Sequence, residues 1–467
     1  MRIEDLGMRT EGFKTPAAAG KISLNPKPST LKSLLIALAF LLQGCSLGAS
    51  VDSLLSPPML TYEQAEIYDA LMKSVGSQRL SLVYPSDGDY RSAFIIESID
   101  GAGELALVFY ESGGGADGES GIRMNILTKE NEKWRSVYDH AGIGFGVDKV
   151  IFSSLGNTSE NASSGNNIII GFNLLSGEKS FRVYRFEGGI LESLYGGIYS
   201  RMFIADLDAD GESGLIVISP NNPAANSQAH ISIIKERGGE VVEISSVPLN
   251  PDTSDIVNVV YGLVGEGRRA LFIDSLAGGM VKTEIIYTIN GELRNPLYLS
   301  GSDILEDTLR PAGYLCTDID GDLIIEIPTL SLFPGHDADS EESFYITNWN
   351  VFENFSIIKK YASLYNTAEG YCFIIPSRWE SVVTVKSDRA AGDIVFHRYP
   401  SDGEAELMRF SAVRSGDVFA RLEAGYTVIR ESERFTYMVK LPEDNDDPLI
   451  LTNTEILNNL YIMEQRG

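Results

Sequence analysis

The stretch Phe203-Ile-Ala-Asp-Leu-Asp-Ala-Asp-Gly211 places alternating aspartates and a glycine directly after a short apolar run. A second copy, Cys316-Thr-Asp-Ile-Asp-Gly-Asp322, stands further along the chain. Three weaker copies begin at Ser98, Ser154 and Gly262, so that successive copies are spaced by 56, 52, 56 and 56 residues. A period of this size indicates a repeat architecture.

Short apolar runs flank each acidic stretch, as Met202-Phe-Ile204 and Leu215-Ile-Val-Ile218 do for the first copy. Runs of this length, rich in β-branched and aromatic residues, are typical of buried strands. Further along the repeats, dipeptides such as Gly188-Gly189, Gly238-Gly239 and Asn290-Gly291 supply the positive φ angles that two-residue hairpins require. Each repeat therefore predicts about four antiparallel strands.

Four-stranded repeats of this period are typical of β-propeller blades. A β-solenoid usually has shorter repeats, and an immunoglobulin-like array needs about 100 residues per unit. We therefore predict a mainly β fold with a five-bladed β-propeller of four-stranded repeats over residues 80–368. The propeller has six blades if the strand Leu80-Ser-Leu-Val-Tyr84 helps to close the ring. A helical segment at residues 61–79 precedes the blades.

Residues 369–467 depart from the repeat. Cys372-Phe-Ile-Ile-Pro-Ser-Arg-Trp379 occupies the register of a sixth acidic loop but lacks its acidic residues. Strand-like runs follow, and Thr452 with Glu455 forms a capping-box pattern that begins a final helix. The pattern predicts a small α+β domain, which is faintly similar to the Mog1/PsbP-like sandwich.

The two complete acidic stretches resemble the FG-GAP/VCBS repeats of integrin-type propellers, in which the loop between the first two strands of a blade binds calcium. Ca²⁺ takes six to eight oxygen ligands, and alternating acidic residues around a tight turn can supply them. The candidate ligands are Asp206, Asp208, Asp210 and Glu212 in one loop and Asp318, Asp320, Asp322 and Glu326 in the other.

Both loops depart from the family pattern. The ninth position of the first loop is Gly214, where a carboxylate is usual, and Leu323 replaces the turn glycine of the second loop. The alternative is that aspartate and glycine serve only as turn formers, through side-chain to backbone hydrogen bonds. We expect a structural, not a catalytic, calcium ion in at most these two loops.

The apolar segment Leu34-Leu-Ile-Ala-Leu-Ala-Phe-Leu-Leu42 is too short to span a bilayer, which needs about 20 residues. It follows basic residues and ends in Leu42-Gln-Gly-Cys45. This resembles a secretory signal with a bacterial lipobox, in which cleavage leaves the cysteine as a lipid-bearing N-terminus. The alternatives are an ordinary signal peptide with an incidental cysteine and a buried hydrophobic helix.

The lipobox resemblance implies a signal peptide over residues 1–44, lipidation of Cys45, and a tether over residues 45–60. It implies an extracytoplasmic lipoprotein anchored to the membrane at the cell surface. The long segment before the apolar run leaves the true translation start open.

The net charge is −27 over the chain and −30 from Cys45 onward, because residues 1–44 hold six basic and three acidic residues. This charge argues against nucleic acid or anionic lipid as a partner surface. Cys316 and Cys372 either form a bridge or are two separate buried thiols.

The sequence shows no catalytic motif of the common hydrolase, nucleotide-binding or zinc-protease types. We therefore predict a non-catalytic binding or scaffold protein with an unknown protein or glycan ligand. The alternatives are an extracellular propeller enzyme that acts on glycans and an accessory protein of envelope assembly or signalling.

Overall fold

The computed structural model describes residues 60–76, 80–99, 103–112, 121–156, 167–222, 227–251, 253, 255–299, 307–338, 342–400, 405–443 and 447–463. The predicted signal peptide, Cys45 and nearly all of the predicted tether lie outside these residues. Within them, every helix is too short or too polar to cross a membrane. From Glu63 onward the chain belongs to one compact unit.

Five antiparallel sheets follow one another along the chain, and we number them as blades 1 to 5. Blade 1 contains β1 (Leu80–Leu82), β2 (Phe94–Ile99), β3 (Gly103–Ser112), β4 (Ile122–Glu130) and β5 (Lys133–Ala141), and blade 2 contains β6 (Gly146–Ser153), β7 (Asn167–Asn173), β8 (Lys179–Glu187) and β9 (Ile190–Tyr199). Blade 3 contains β10 (Arg201–Ala205), β11 (Gly214–Ser219), β12 (His230–Arg237) and β13 (Glu240–Pro248), and blade 4 contains β14 (Ile256–Leu263), β15 (Arg269–Ala277), β16 (Met280–Ile289), β17 (Glu292–Arg294) and the short β18 (Arg310–Pro311).

Blade 5 is completed by strands from the C-terminal part of the chain. It contains β19 (Ile327–Leu332), β20 (Tyr345–Glu353), β21 (Ser356–Asn366), β22 (Tyr371–Ile374) and β28 (Leu460–Ile462). Its first strand is reduced to a bridge between Thr317 and Glu326. The predicted boundary after residue 368 therefore falls inside blade 5.

A further sheet follows blade 5 in the order β23-β24-β25-β27-β26. Its strands are β23 (Val383–Asp388), β24 (Asp393–Arg398), β25 (Glu406–Val413), β26 (Thr427–Glu431) and β27 (Thr436–Lys440). The helices are α1 (Tyr62–Val75), α2 (Pro296–Leu299), α3 (Val418–Glu423) and α4 (Asn453–Asn459), with a 3₁₀ helix at Ser377–Trp379. The predicted capping box is confirmed at the start of α4, where Thr452 accepts from the backbone N–H of Glu455.

These elements confirm the predicted fold class, a mainly β chain of four-stranded propeller-type blades followed by an α+β segment. The strand considered for ring closure, β1, pairs with β3 on the same edge as β2 and so belongs to blade 1. Two-residue turns join the third and fourth strands of each blade. The predicted turns are confirmed with positive φ at Gly188, Gly189, Gly238, Gly239, Asn290 and Gly291.

Every blade packs an apolar core against the next one. On β7, Ile168 faces the core with blade 1 whereas Ile169 faces the core with blade 3. On β11, Leu215 and Ile216 divide in the same way between blades 2 and 4. Successive side chains of a strand point to opposite faces, so the second strands of these blades are apolar on both faces. Helix α1 covers the other face of blade 1 with Ile67 and Leu71, which lie one helical turn apart.

The fourth strand carries a β-bulge at an equivalent place in four of the blades. The extra residue is Val137 in blade 1, Leu194 in blade 2, Ile244 in blade 3 and Lys360 in blade 5. A bulge redirects the side chain at the inserted position. The repeated bulge is a part of the blade design that the sequence repeat did not predict.

A buried ion pair joins β15 to β18 within blade 4. Arg310 Nη2 lies 2.8 Å from Asp274 Oδ1, and both side chains are fully buried. The other oxygen of Asp274 accepts from the backbone N–H of Cys316 at 2.7 Å. Cys316 and Cys372 are both free, buried thiols.

We expect Arg310→Met to lower the free energy of unfolding by about 3–5 kcal/mol, because it leaves the Asp274 carboxylate buried without a counter-charge. The matched control is Arg294→Met, which removes an exposed pair with Glu292 and should change stability by about 1 kcal/mol or less. Urea denaturation measures both. Equal effects of the two substitutions would contradict the structural importance of the buried pair.

Candidate functional site

The structure brings most of the predicted metal ligands into two clusters, one in each acidic loop. The first acidic loop, residues 206–213, joins β10 to β11, and carboxylate oxygens of Asp206, Asp208 and Asp210 lie within 4.8 Å of one another. The second acidic loop, residues 318–326, precedes β19, and its cluster is Asp318, Asp320 and Glu326. The predicted ligands Glu212 and Asp322 lie outside the two clusters.

Some of these carboxylates hold the loops in shape, as the turn-former alternative expects. In the first loop, Asp206 Oδ2 accepts from Gly211 N at 3.1 Å, and Asp210 Oδ1 accepts from Glu212 N at 2.9 Å. Side-chain to backbone hydrogen bonds of this kind stabilise tight turns.

The second acidic loop has similar turn contacts. Asp318 accepts from the backbone N–H groups of Gly321 and Leu323 at 2.7 and 2.9 Å, and Asp322 accepts from Ile324 N at 2.9 Å. Asp318 is therefore engaged by the backbone of its own loop.

A lysine from β12 enters the first acidic loop. The Nζ of Lys235 donates to both oxygens of Asp208 at 2.8 and 2.9 Å and to Asp210 Oδ1 at 2.8 Å, and its side chain is 0% exposed. Burial acts to raise the pKa of Asp210, but the hydrogen bonds from Lys235 and the Glu212 backbone, together with the charges of Lys235 and Arg237, outweigh it and lower that pKa. Arg237 pairs with Glu212 at 2.6 Å and also reaches Asp210.

Blade 4 contributes to the same loop. Arg269, at the start of β15, forms an ion pair with Asp206, and the Tyr261 hydroxyl donates to the Asp206 carbonyl at 3.0 Å. The four carboxylates of the first acidic loop thus face three basic side chains.

A lysine also enters the second acidic loop, from the bulge of β21. The Nζ of Lys360 lies 2.9 Å from Asp320 Oδ2, 2.7 Å from Asp322 Oδ2 and 2.8 Å from Glu326 Oε1. The Tyr361 hydroxyl donates to Asp320 at 2.8 Å. Burial raises the pKa of Glu326 to about 7, against the hydrogen bond from Lys360.

These cations decide how the clusters could hold a metal. Ca²⁺ lies about 2.3–2.6 Å from its oxygen ligands and uses at least six of them. In the first loop the place between the Asp208 and Asp210 carboxylates is taken by the Lys235 ammonium group. One buried oxygen of Asp206 and one of Asp320 have no hydrogen-bond partner. The arrangement does not fit a calcium ion alongside the lysines, and calcium at these loops stays a prediction.

The sequence did not identify Lys235, Arg269 or Lys360 as part of the site. A local signal was a charged residue at the end of the apolar run of β12, where Lys235 follows Ile233 and Ile234 inside the strand. A lysine inside a buried strand needs an acidic partner.

Two polar clefts lie away from the acidic loops. One, of about 550 Å³, is lined by Tyr110, Arg123 and Asp139, among others. The other, of about 570 Å³, lies on the C-terminal sheet and includes Glu406 and Arg409. In each cleft a carboxylate is already paired with an arginine.

No family model and no curated protein matched the chain. Solved structures to which it is similar include Sqt1 from Chaetomium thermophilum, at 10% identity over 82% of this chain and 98% of that one, with a TM-score of 0.30. The rhamnogalacturonan lyase of Bacillus licheniformis matches at 10% identity, 71% and 76% coverage and a TM-score of 0.27. TolB from Acinetobacter baumannii matches at 11% identity, 61% coverage of both chains and a TM-score of 0.22. At these values the similarities carry no information about what the chain binds or does.

We expect Leu323→Gly to stabilise the protein by about 1 kcal/mol. Leu323 has φ of 71° and is 65% exposed, so the substitution relieves backbone strain and loses little burial. The control Leu175→Gly, at an exposed turn residue without positive φ, should instead lower stability by about 0.5–1 kcal/mol. Denaturation midpoints of both variants check this, and destabilisation by Leu323→Gly would contradict it.

Proposed function

We propose that the chain is a non-catalytic binding or scaffold protein, held at a bacterial membrane surface by a lipid on Cys45. The observation that supports the proposal is that the acidic loops of the described residues pair with basic side chains of the protein itself. The acidic side chains that the repeat places between blades are engaged by basic side chains of the same or the next blade. These ion pairs therefore stabilise the blades.

Several ion pairs and a hydrogen bond connect neighbouring blades. Arg185 of blade 2 pairs with Glu236 of blade 3 at 2.7 Å, and Arg269 of blade 4 pairs with Asp206 of blade 3. The backbone N–H of Asn354 in blade 5 donates to Glu266 of blade 4 at 2.6 Å. Such contacts, added to the apolar cores between blades, favour a rigid support for exposed loops.

The polar clefts favour binding over hydrolysis. A glycosidase of the usual kind needs two carboxyl groups that exchange protons or attack the sugar. In the C-terminal cleft Arg409 pairs with Asp388 at 2.8 Å and hydrogen bonds to Glu406 at 2.9 Å. Asp139 in the other cleft accepts from Tyr110, Arg123 and Asn125. These carboxylates are thus already engaged by neighbouring side chains.

The strongly acidic chain favours neutral or basic ligands, either a glycan or a protein. Nucleic acid is disfavoured, since phosphates would be repelled.

We expect metabolic labelling with a fatty acid to mark the wild-type protein. We also expect the labelled protein to be in the membrane fraction. Cys45→Ala should abolish the label, whereas Cys316→Ala, which alters a buried thiol, should retain it. An unlabelled wild-type protein released into the medium would contradict the anchor.

The absence of catalysis is tested by incubating the full chain with cell-surface polysaccharides while new reducing ends and unsaturated products are measured. We expect retention of a polysaccharide or protein ligand without turnover. Turnover that is lost in Asp139→Asn or Glu406→Gln would refute the non-catalytic assignment and place an active site in the corresponding cleft.

A further inference from the structure

The two acidic loops have the same unusual feature, an ammonium group that lies within 2.9 Å of three carboxylate oxygens of the loop. A lysine Nζ has three N–H donors and no acceptor. Lys235 has three carboxylate oxygens within 2.9 Å, two from Asp208 and one from Asp210. Lys360 also has three, one each from Asp320, Asp322 and Glu326.

We propose that Lys235 and Lys360 are built-in cations that take the place of a calcium ion in the two acidic loops. Both blades then fold without metal. The proposal concerns how the scaffold is held together and is independent of what the protein binds.

The two lysines reach their loops from different strands. Lys235 lies on β12, the third strand of blade 3, in regular pairing with Val242. Lys360 lies on β21, the fourth strand of blade 5, as the extra residue of the bulge. The equivalent bulge residue is apolar in blades 1 to 3. A lysine ammonium group therefore reaches an acidic loop from the third strand in one blade and from the bulge of the fourth strand in another.

The energetics oppose exchange of the lysines for a metal. The Lys235 side chain is fully buried, so a metal that displaced its Nζ would leave that charge without its three acceptors in a desolvated place. A metal that bound beside it would bring two further positive charges within a few ångströms of the ammonium group. Arg237 and Arg269 add more positive charge around the first loop.

Thermal unfolding of the full chain in EDTA and in millimolar Ca²⁺ tests the proposal. We expect the melting temperature of the wild type to be the same in both. Lys235→Ala and Lys360→Ala should each lose several degrees in EDTA, because the carboxylates lose the ammonium group that they share, and should recover most of the loss in Ca²⁺. Lys359→Ala is the matched control. Lys359 is adjacent to Lys360 in the chain, and its substitution removes only an exposed ion pair with Glu380. It should be insensitive to both conditions.

Two results would overturn the proposal. One is a wild-type melting temperature that rises in Ca²⁺, with a heat of binding in calorimetry that Asp208→Asn or Asp320→Asn removes. The other is a lysine variant that is as stable as the control, or one that loses stability without recovering in Ca²⁺. If Lys235→Ala does not fold in EDTA, Lys360→Ala at the partly exposed site and calorimetry of the wild type decide the question.

Discussion

The fold depends on sheets that are apolar on both faces. Ile168 and Ile169 of β7 are fully buried in two different cores, and Leu271 and Phe272 of β15 divide in the same way. A sheet of this kind cannot bury both faces alone, so each blade requires neighbours on both sides. The hydrophobic effect thereby packs each blade against its neighbours, and helix α1 covers the face of blade 1 opposite blade 2.

Stacked blades create an electrostatic problem at the acidic loops, which basic side chains solve. Each such loop lies beside a neighbouring blade, where partial burial makes an unpaired carboxylate costly. The Asp206 loop is neutralised from its own blade by Lys235 and from the next by Arg269. The acidic residues that resemble a metal site in the sequence therefore hold strands together within a blade and, at Asp206, between blades, which suits the proposed scaffold role.

The sequence predicted the turns and the helix cap, because each depends on residues that are close together in the chain. The turn at Gly188 and Gly189 requires positive φ, and Thr452 caps its helix through a residue three positions away. The cations of the acidic loops could not be found in this way. Lys235 and Asp208 are 27 residues apart, and Lys360 reaches its loop only because a bulge redirects it. Likewise, β28 joins blade 5 through long-range pairing with β22 that no local pattern encodes.

We infer that an ammonium group occupies the cation position of each acidic loop. A crystal structure of the protein grown in the presence of Ca²⁺, with anomalous diffraction data, tests this inference. We expect no anomalous peak in either loop and the Nζ atoms of Lys235 and Lys360 within hydrogen-bonding distance of the carboxylates. A peak with carboxylate oxygens at about 2.3–2.6 Å, and with the lysine displaced, would contradict it.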